Sequence, residues 1–228
     1  YKGLIPYSVG DAPFFFGREV ERQIITANLM ASRLTLLYGP TGVGKSSVLR
    51  AGVAHHLRQR AARNLIEHGT PDFAVVVFSY WRDDPIVALI DRVQDSVRQT
   101  LDNQVLVPMS SRTLTDTLRF WSDAVGGDLL IILDQFEEYF LYHSTEDGEG
   151  TFAVEFPRAI NHTDLRVNFL VSIREDALAK IDRFKGRIPS LFDNYLRIEH
   201  LNAEAGRAAI TKPVEQYNSL QKTEGQKV

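Results

Sequence analysis

Apolar residues along this chain recur in two alternating patterns, which are short continuous runs and longer stretches with helical spacing. Continuous apolar runs are typical of strands that are buried on both faces of a parallel sheet. Four such runs predict strands at 34–38, 73–78, 129–133 and 167–172, and a shorter run predicts a fifth at 195–198. The alternation predicts an α/β fold: a parallel five-stranded sheet with helices on both faces, whose ligands bind at the carboxyl ends of the strands.

The stretches between these runs carry apolar residues at intervals of three and four, which predicts helices. Helices are predicted at 19–31, from about 47 to about 63, from 83–85 to about 101, around 114–125 and at 151–161. A loop is expected at 102–111 and another, acidic one at 145–150. The polar stretch 219–228 predicts no closing element, so we expect that the chain is cut from something longer.

The loop after the first strand is the most informative segment and reads Gly39-Pro40-Thr41-Gly42-Val43-Gly44-Lys45-Ser46. This is the P-loop pattern between a strand and a helix, and a flexible surface turn is the alternative. Its glycines let successive N–H groups point at phosphate oxygens. Lys45 is expected to reach the β- and γ-phosphates, and the Ser46 hydroxyl to complete a Mg²⁺ shell. The segment 39–47, including Ser47, therefore predicts a site for ATP or ADP with Mg²⁺.

A carboxylate, Asp134, ends the third apolar run, as in the Walker B element that holds Mg²⁺ through its water shell. A strand-ending Asp alone is weak evidence, but the P-loop upstream makes the metal site the favoured interpretation. Many related ATPases carry a Glu base directly after this Asp, whereas here Gln135 cannot act as a base. Glu137 and Glu138 are the candidates for orienting the attacking water, with Glu137 preferred; solvated carboxylates at a helix start are the alternative.

Arg174 follows the fourth apolar run, so it is expected at the carboxyl end of a strand. There its planar guanidinium could bind two oxygens of a γ-phosphate and report whether that phosphate is present. A salt bridge to Glu175 or Asp176 is an equally good interpretation.

The aromatic segment 14–16 is expected to fill core, and Gly17 and Arg18 after it could bring a backbone turn and a cation against a nucleotide. The six histidines form no metal-ligand pattern, and the absence of cysteine excludes disulfides and thiol catalysis and suits a reducing cytoplasm. With 26 basic and 29 acidic residues, the net charge of −3 gives no whole-chain sign of nucleic-acid or anionic-membrane binding.

Together these segments resemble the STAND-class NTPases, specifically the bacterial group called novel STAND NTPase 1. The resemblance spans nearly the whole chain and rests on residues 1–7, 15–19, 39–52, 134–138, 174–176 and 201–213. The chain departs mildly from the family pattern, because Ile5 and Tyr7 stand where Arg and Phe are more usual.

STAND proteins are similar to AAA+ and NB-ARC ATPases. They are switches that rest as ADP-bound monomers and open into ATP-bound oligomers that activate an effector. By that likeness, Gly17 and Arg18 would contact the nucleotide, Arg174 would sense the γ-phosphate, and Pro213 would lie near the adenine. Residues 1–200 would form the P-loop domain, with 1–18 as a nucleotide-contacting segment. Residues 201–228 would begin a truncated helical subdomain.

The resemblance also implies a homo-oligomer in the ATP state of the full-length protein, and effector and repeat domains outside this chain. A role in bacterial defence or cell death is a family-level expectation. The competing hypothesis is an AAA+-type loader or remodeller that acts on nucleic acid or protein. A P-loop kinase is disfavoured because no arginine-rich lid segment is present, and an ABC-type ATPase because the Leu-Ser-Gly-Gly signature is absent.

Overall fold

In the computed structural model, residues 5–102 and 113–225 are described. The predictions made on residues 1–4, on most of the loop 102–111 and on the last three residues lie outside them. Among the described residues, five parallel strands form one sheet in the order β2-β3-β4-β1-β5. They are β1 (Leu34–Gly39), β2 (Phe73–Phe78), β3 (Asp128–Leu133), β4 (Val167–Arg174) and β5 (Tyr195–Arg197). The predicted parallel five-stranded sheet is confirmed, and β4 extends two residues beyond the prediction to include Arg174.

Helices connect the strands. They are α1 (Glu19–Ala31), α2 (Lys45–Ser47), a π-helical turn (Val48–Ala54), α3 (His55–His68), α4 (Pro85–Thr100), α5 (Leu114–Val125), α6 (Glu137–Tyr142), α7 (Phe152–Asn161) and α8 (Ala203–Gly225). Two 3₁₀ segments, Val9–Phe14 and Glu175–Phe184, complete the described elements.

Local chemistry explains where several helices begin and end. The Asp84 side chain accepts hydrogen bonds from the N–H groups of Ile86 (2.9 Å) and Val87 (3.2 Å), and Pro85 occupies the first turn of α4. The prediction that the P-loop helix ends near residue 63 was wrong, because α3 continues to a left-handed Gly69. The prediction that the polar stretch from 219 carries no closing element was also wrong, because α8 continues through it to Gly225.

Side chains of the sheet alternate between two cores. Ile131 and Leu133 of β3 face a cluster that includes residues of α4, α5 and α7, whereas Leu130 and Ile132 face a cluster with residues of α1, the π-helical turn and α3. All four are at most 1% exposed. Helices therefore cover both faces of the sheet, which explains why its strands read as continuous apolar runs. No helix of the described ranges has the length and apolar character needed to cross a bilayer.

Strand register brings the chemically interesting segments to one edge. Gly39, the last residue of β1, pairs with Arg174 of β4, and Leu133 of β3 pairs with Val171. The P-loop, Asp134 and Arg174 therefore leave the sheet at neighbouring points of its carboxyl edge, where parallel sheets bind their ligands.

Candidate functional site

The P-loop has the backbone geometry of an anion-binding loop. Gly42 and Gly44 have φ values of +78° and +93°, in the left-handed region that a residue with a Cβ rarely adopts. Lys45 begins the helix, and its Nζ donates to the carbonyl oxygens of Gly39 (2.8 Å) and Pro40 (2.9 Å). Burial lowers the pKa of Lys45, while the nearby Glu137 and Asp134 carboxylates oppose this shift. The ammonium is thus held at the mouth of the loop.

A cavity of about 400 Å³, here called the P-loop cavity, opens beside the loop. Its lining brings together Lys45, Ser46, Asp134, Glu137 and Arg174, which the sequence places far apart. The rest of the lining comprises Ile5, Pro6, Tyr7, Thr41, Gly42, Gly44, Ser47, Gln135 and Ser172. The predicted metal ligands, the sensor and most of the predicted phosphate-binding loop therefore lie around a single space, whereas Gly39, Pro40, Val43 and Glu138 are not part of its lining.

Asp134 is held in place from several sides and is only 1% exposed. Its Oδ1 accepts a hydrogen bond from the Gln135 N–H (3.0 Å), and its Oδ2 accepts one from Arg50 Nη2 (3.1 Å). Trp81 Nε1 donates to its carbonyl oxygen (2.8 Å). Gln135 has a φ of +56°, which is uncommon for a residue with a side chain and typical of functional segments.

The oxygen ligands of the P-loop cavity suit Mg²⁺. The Ser46 hydroxyl and the Asp134 carboxylate line the same space, and Mg²⁺ is usually held by one or two such groups together with waters and substrate phosphates. Within residues 5–102 and 113–225, no group of three or more His, Asp or Glu side chains gathers into a metal site of its own. The residues present therefore fit a metal that is shared with a bound phosphate.

The two candidate water-orienting carboxylates are not equivalent. Glu137 lines the P-loop cavity, and its Oε2 accepts a hydrogen bond from the backbone N–H of Arg174 (3.2 Å). Glu138 lies next to it at the start of α6 but is not part of the lining. Burial raises the pKa of Glu138, and the charges of Glu137 and Asp134 raise it further. The position of Glu137 supports the preferred assignment, which stays a prediction.

Arg174 shows both features that its sequence position suggested. It lines the P-loop cavity, and its Nε donates to Asp176 Oδ1 at 3.0 Å. The hydrogen bond from Arg174 to Asp176 raises the pKa of the guanidinium and lowers that of the carboxyl. The Arg174 side chain remains 43% exposed, so solvent screens this two-point ion pair, and a bound phosphate would compete with Asp176 for the guanidinium donors.

A second cavity, here called the aromatic cavity, has a volume of about 350 Å³. It is lined by Tyr7, Phe14, Phe15, Phe16, Arg18, Gly42, Val43, Gly44, Ser47, Leu201 and Ala209. It shares Tyr7, Gly42, Gly44 and Ser47 with the P-loop cavity, so the two spaces adjoin. The expectation that segment 14–16 fills core was largely wrong: Phe15 packs against the core, but all three rings are half-buried and line this cavity.

Arg18 ties the P-loop to the segment before α8. Its guanidinium is 6% exposed, and Nη2 donates to the carbonyl oxygens of Val43 (2.9 Å) and Glu199 (2.8 Å), while Nη1 pairs with Glu21. These donors are committed to protein acceptors that satisfy a buried charge. Arg18 is therefore placed to hold the loop, and it lines the aromatic cavity rather than the P-loop cavity.

Gly17 and Pro213, the other residues expected near a nucleotide, are both associated with α8. Gly17 has a φ of +87°, and a Cβ there would lie 2.4 Å from the carbonyl oxygen of Ala205 in α8. Pro213 is buried within α8, and it is Leu201 and Ala209 that contribute to the aromatic cavity. The structure thus brings α8 to the P-loop but does not bring Pro213 to the cavity wall.

Sequence reasoning missed two residues of the site, of which one contacts Asp134 and the other lines the P-loop cavity. Arg50 pairs with Asp134, and nothing in its position on the P-loop helix indicated this contact. The Ser172 hydroxyl, fully buried on β4, lines the cavity and has no hydrogen-bond partner among the described residues. The only sequence feature that could have indicated Ser172 is a hydroxyl inside an otherwise apolar strand.

Comparisons with known proteins agree with this architecture. The sequence model of the family described as Novel STAND NTPase 1 matches residues 1–225. A search of curated proteins finds no match. Similar solved structures include the Aeropyrum pernix ORC1 protein in complex with DNA, at 19% identity and a TM-score of 0.57, covering 89% of this chain and 50% of that one.

Two further structures show the same likeness. The Aeropyrum pernix ORC2 protein, solved in ADPNP-ADP complexes, is 15% identical with a TM-score of 0.54, covering 87% of this chain and 50% of that one. A Walker-type ATPase of Pyrococcus abyssi is 16% identical with a TM-score of 0.53, covering 89% and 58% respectively. The chain thus spans about half the length of these proteins, and identities this low show a shared fold alone.

Proposed function

The chain belongs to the novel STAND NTPase 1 family and is an NTPase of the STAND/AAA+ kind, and from that premise we propose that it is the ATP/ADP-binding switch domain of a signalling ATPase. In this proposal, nucleotide state controls oligomerisation and the activation of an effector, and ATP hydrolysis is slow. A switch needs only slow turnover, because the bound nucleotide is itself the signal.

One observation carries the proposal: two adjoining cavities share the P-loop, and the second is also lined by α8. The P-loop cavity has the charged groups that phosphates and Mg²⁺ require, and the aromatic cavity has half-buried rings that suit a base. A nucleotide that filled both would contact Leu201 and Ala209. The presence or absence of the γ-phosphate would then bias the position of α8, because ATP and ADP would differ in affinity for the two positions of this helix.

The proposed roles follow from these positions. Lys45 contacts the β- and γ-phosphates, Ser46 and Asp134 hold Mg²⁺, Glu137 orients water, and Arg174 senses the γ-phosphate. When bound, Mg²⁺ supplies charge stabilisation on the phosphate oxygens.

The domain boundaries are part of the same proposal. Residues 1–200 form the nucleotide-binding domain, and residues 201–228 begin a helical subdomain. The carbonyl of Glu199, which Arg18 ties to the P-loop, lies just before that boundary and supports this division. Pro213 is proposed to approach the adenine in a state in which α8 has moved. Homo-oligomerisation and fused effector domains are likewise proposed on family grounds.

Nucleotide binding is the direct test. Calorimetry with the purified protein is expected to show binding of both ADP and ATP in the presence of Mg²⁺, and nucleotide extracted from the purified protein is expected to be ADP. If neither nucleotide binds at saturating concentration, the assignment is wrong.

The competing proposal is an AAA+-type loader or remodeller, and the likeness to ORC1, a protein solved in complex with DNA, favours it. The net charge of −3 is against a broad nucleic-acid surface. The two proposals differ in one measurement: hydrolysis that rises when DNA or RNA is added supports the loader, whereas tightly retained ADP and hydrolysis indifferent to nucleic acid support the switch.

Hydrolysis by this chain alone is expected to be well below the ~10 s⁻¹ of a typical enzyme, because Gln135 replaces the usual base. Glu137→Gln is expected to reduce the residual phosphate release about tenfold or more, since a base that lines the cavity is lost. Glu138→Gln is the matched control, and it should retain most of the activity. The opposite ranking would assign the role to Glu138, and rapid turnover by the wild type would contradict the switch.

A further inference from the structure

Arg50 lies on the π-helical turn that follows Lys45, and it reaches back to the predicted metal site. Its Nη2 lies 3.1 Å from Asp134 Oδ2 and 3.1 Å from the Ser79 hydroxyl at the end of β2. The Arg50 side chain is 29% exposed, whereas that of Asp134 is 1% exposed. A partly exposed cation thus covers a fully buried carboxylate.

Burying an ionised carboxylate without a counter-charge costs a large desolvation free energy. Lys45, whose charge also interacts with Asp134, already donates to two P-loop carbonyls. Among the described residues, Arg50 is the cation in salt-bridge contact with Asp134. With Gln135 N–H on the other carboxylate oxygen, both oxygens of Asp134 are engaged by the protein itself.

We propose that Arg50 is a positioning residue that orients and neutralises the Asp134 carboxylate whenever no metal ion does so, and that it thereby allows the P-loop to hold ADP without Mg²⁺. This inference rests on the proposed nucleotide binding at the same site. The P-loop cavity also contains Glu137, so an unneutralised Asp134 would present a second negative charge to an anionic nucleotide. A bound divalent cation would take over the neutralisation and make Arg50 dispensable.

The consequence is a conditional effect that a merely structural residue would not show. Loss of Arg50 should weaken ADP binding strongly when Mg²⁺ is chelated and only slightly when Mg²⁺ is abundant. The effect should also depend on the charge of Asp134, because that charge is what Arg50 neutralises.

The test measures the Kd of a fluorescent ADP analogue (mant-ADP) in Mg²⁺ and in EDTA. For Arg50→Met, we expect the affinity loss in EDTA to exceed the loss in Mg²⁺ by about tenfold, or about 1.4 kcal/mol, the scale of one solvent-screened charge near a phosphate. Arg50→Lys, which keeps the charge, should recover part of the loss. Arg92→Met is the matched control: Arg92 is also a half-buried arginine, but it donates to the carbonyl oxygen of Val77 (2.9 Å), whereas Arg50 is the arginine that pairs with Asp134 among the described residues.

A double-mutant cycle completes the experiment. In an Asp134→Asn background, Arg50→Met should change the mant-ADP affinity in EDTA by less than about twofold, because no charge is left to neutralise. This double variant also leaves no orphaned buried carboxylate, so it keeps the test decisive if Arg50→Met alone folds poorly. Equal losses in Mg²⁺ and EDTA, or an undiminished loss in the Asp134→Asn background, would overturn the role of Arg50 while leaving nucleotide binding intact. Absence of binding by the wild type in both buffers would overturn both proposals.

Discussion

Replacing Lys45 by alanine is expected to weaken the binding of both ADP and ATP by about 10- to 100-fold. A hydrogen bond to a charged group contributes about 1.5–3 kcal/mol, and each 1.4 kcal/mol is about tenfold in affinity. Lys45 is the P-loop cation that lines the cavity, and its ammonium is already held at the mouth of the loop by Gly39 and Pro40. Two of its three N–H donors bond these carbonyls, and the third is left for a phosphate oxygen. Calorimetry with each nucleotide measures the loss.

The control for this variant must remove the same charge elsewhere. Lys185→Ala does so at an exposed position just after the second 3₁₀ segment, and it should leave both affinities unchanged. Thermal melting without nucleotide separates lost binding from lost structure, because Lys45→Ala also removes two hydrogen bonds to P-loop carbonyls. If a folded Lys45→Ala protein bound nucleotide as tightly as the wild type, the P-loop would not be the binding site.

Much of the sheet is predictable from sequence because four of its five strands, β1 to β4, are buried on both faces. That environment demands apolar side chains at consecutive positions, so β2 and β3 could be read almost to the residue. The end of α8 could not be read in this way. Its last turns are polar in sequence, so apolar periodicity gives no indication of a helix there, although residues such as Gln, Lys and Glu favour helix intrinsically. Gly69, by contrast, was a usable helix stop that was overlooked.

The candidate site likewise has one part that could be predicted from the sequence and another that could not. The convergence of the P-loop, Asp134 and Glu137 was predictable, because parallel topology brings the carboxyl ends of the strands to one edge. The contacts that hold these groups were not. Arg50 and Asp134 are 84 residues apart, and Arg18 and Glu199 are 181 apart. Such pairs depend on the rotamers of long side chains in the finished fold, and no local pattern of residue types encodes them.

Removing the Arg174 guanidinium is expected to reduce the preference for ATP over ADP by about tenfold, while ADP binding changes little. Arg174 ends β4 beside Gly39 and lines the P-loop cavity. In the proposed role its guanidinium contacts the γ-phosphate, which ADP lacks. A ligand shifts a two-state equilibrium only by its differential affinity for the two states. In the full-length protein, Arg174→Ala should therefore bind ADP yet fail to assemble when ATP and the trigger are supplied.

The ion pair with Asp176 supplies the matched control. Asp176→Asn removes the negative charge and one of the two acceptor oxygens that Arg174 contacts in this structure but leaves the guanidinium in place, so it should preserve or increase the preference for ATP. Both affinities are measured by calorimetry, and the ATP-dependent mass by light scattering. Equal weakening of ADP and ATP in Arg174→Ala, or normal assembly, would make Arg174 a structural partner of Asp176. If the preference for ATP falls in Arg174→Ala and rises in Asp176→Asn, Asp176 restrains the sensor in the ADP state. The reason is that one guanidinium cannot serve the carboxylate and the γ-phosphate with its full set of donors at once.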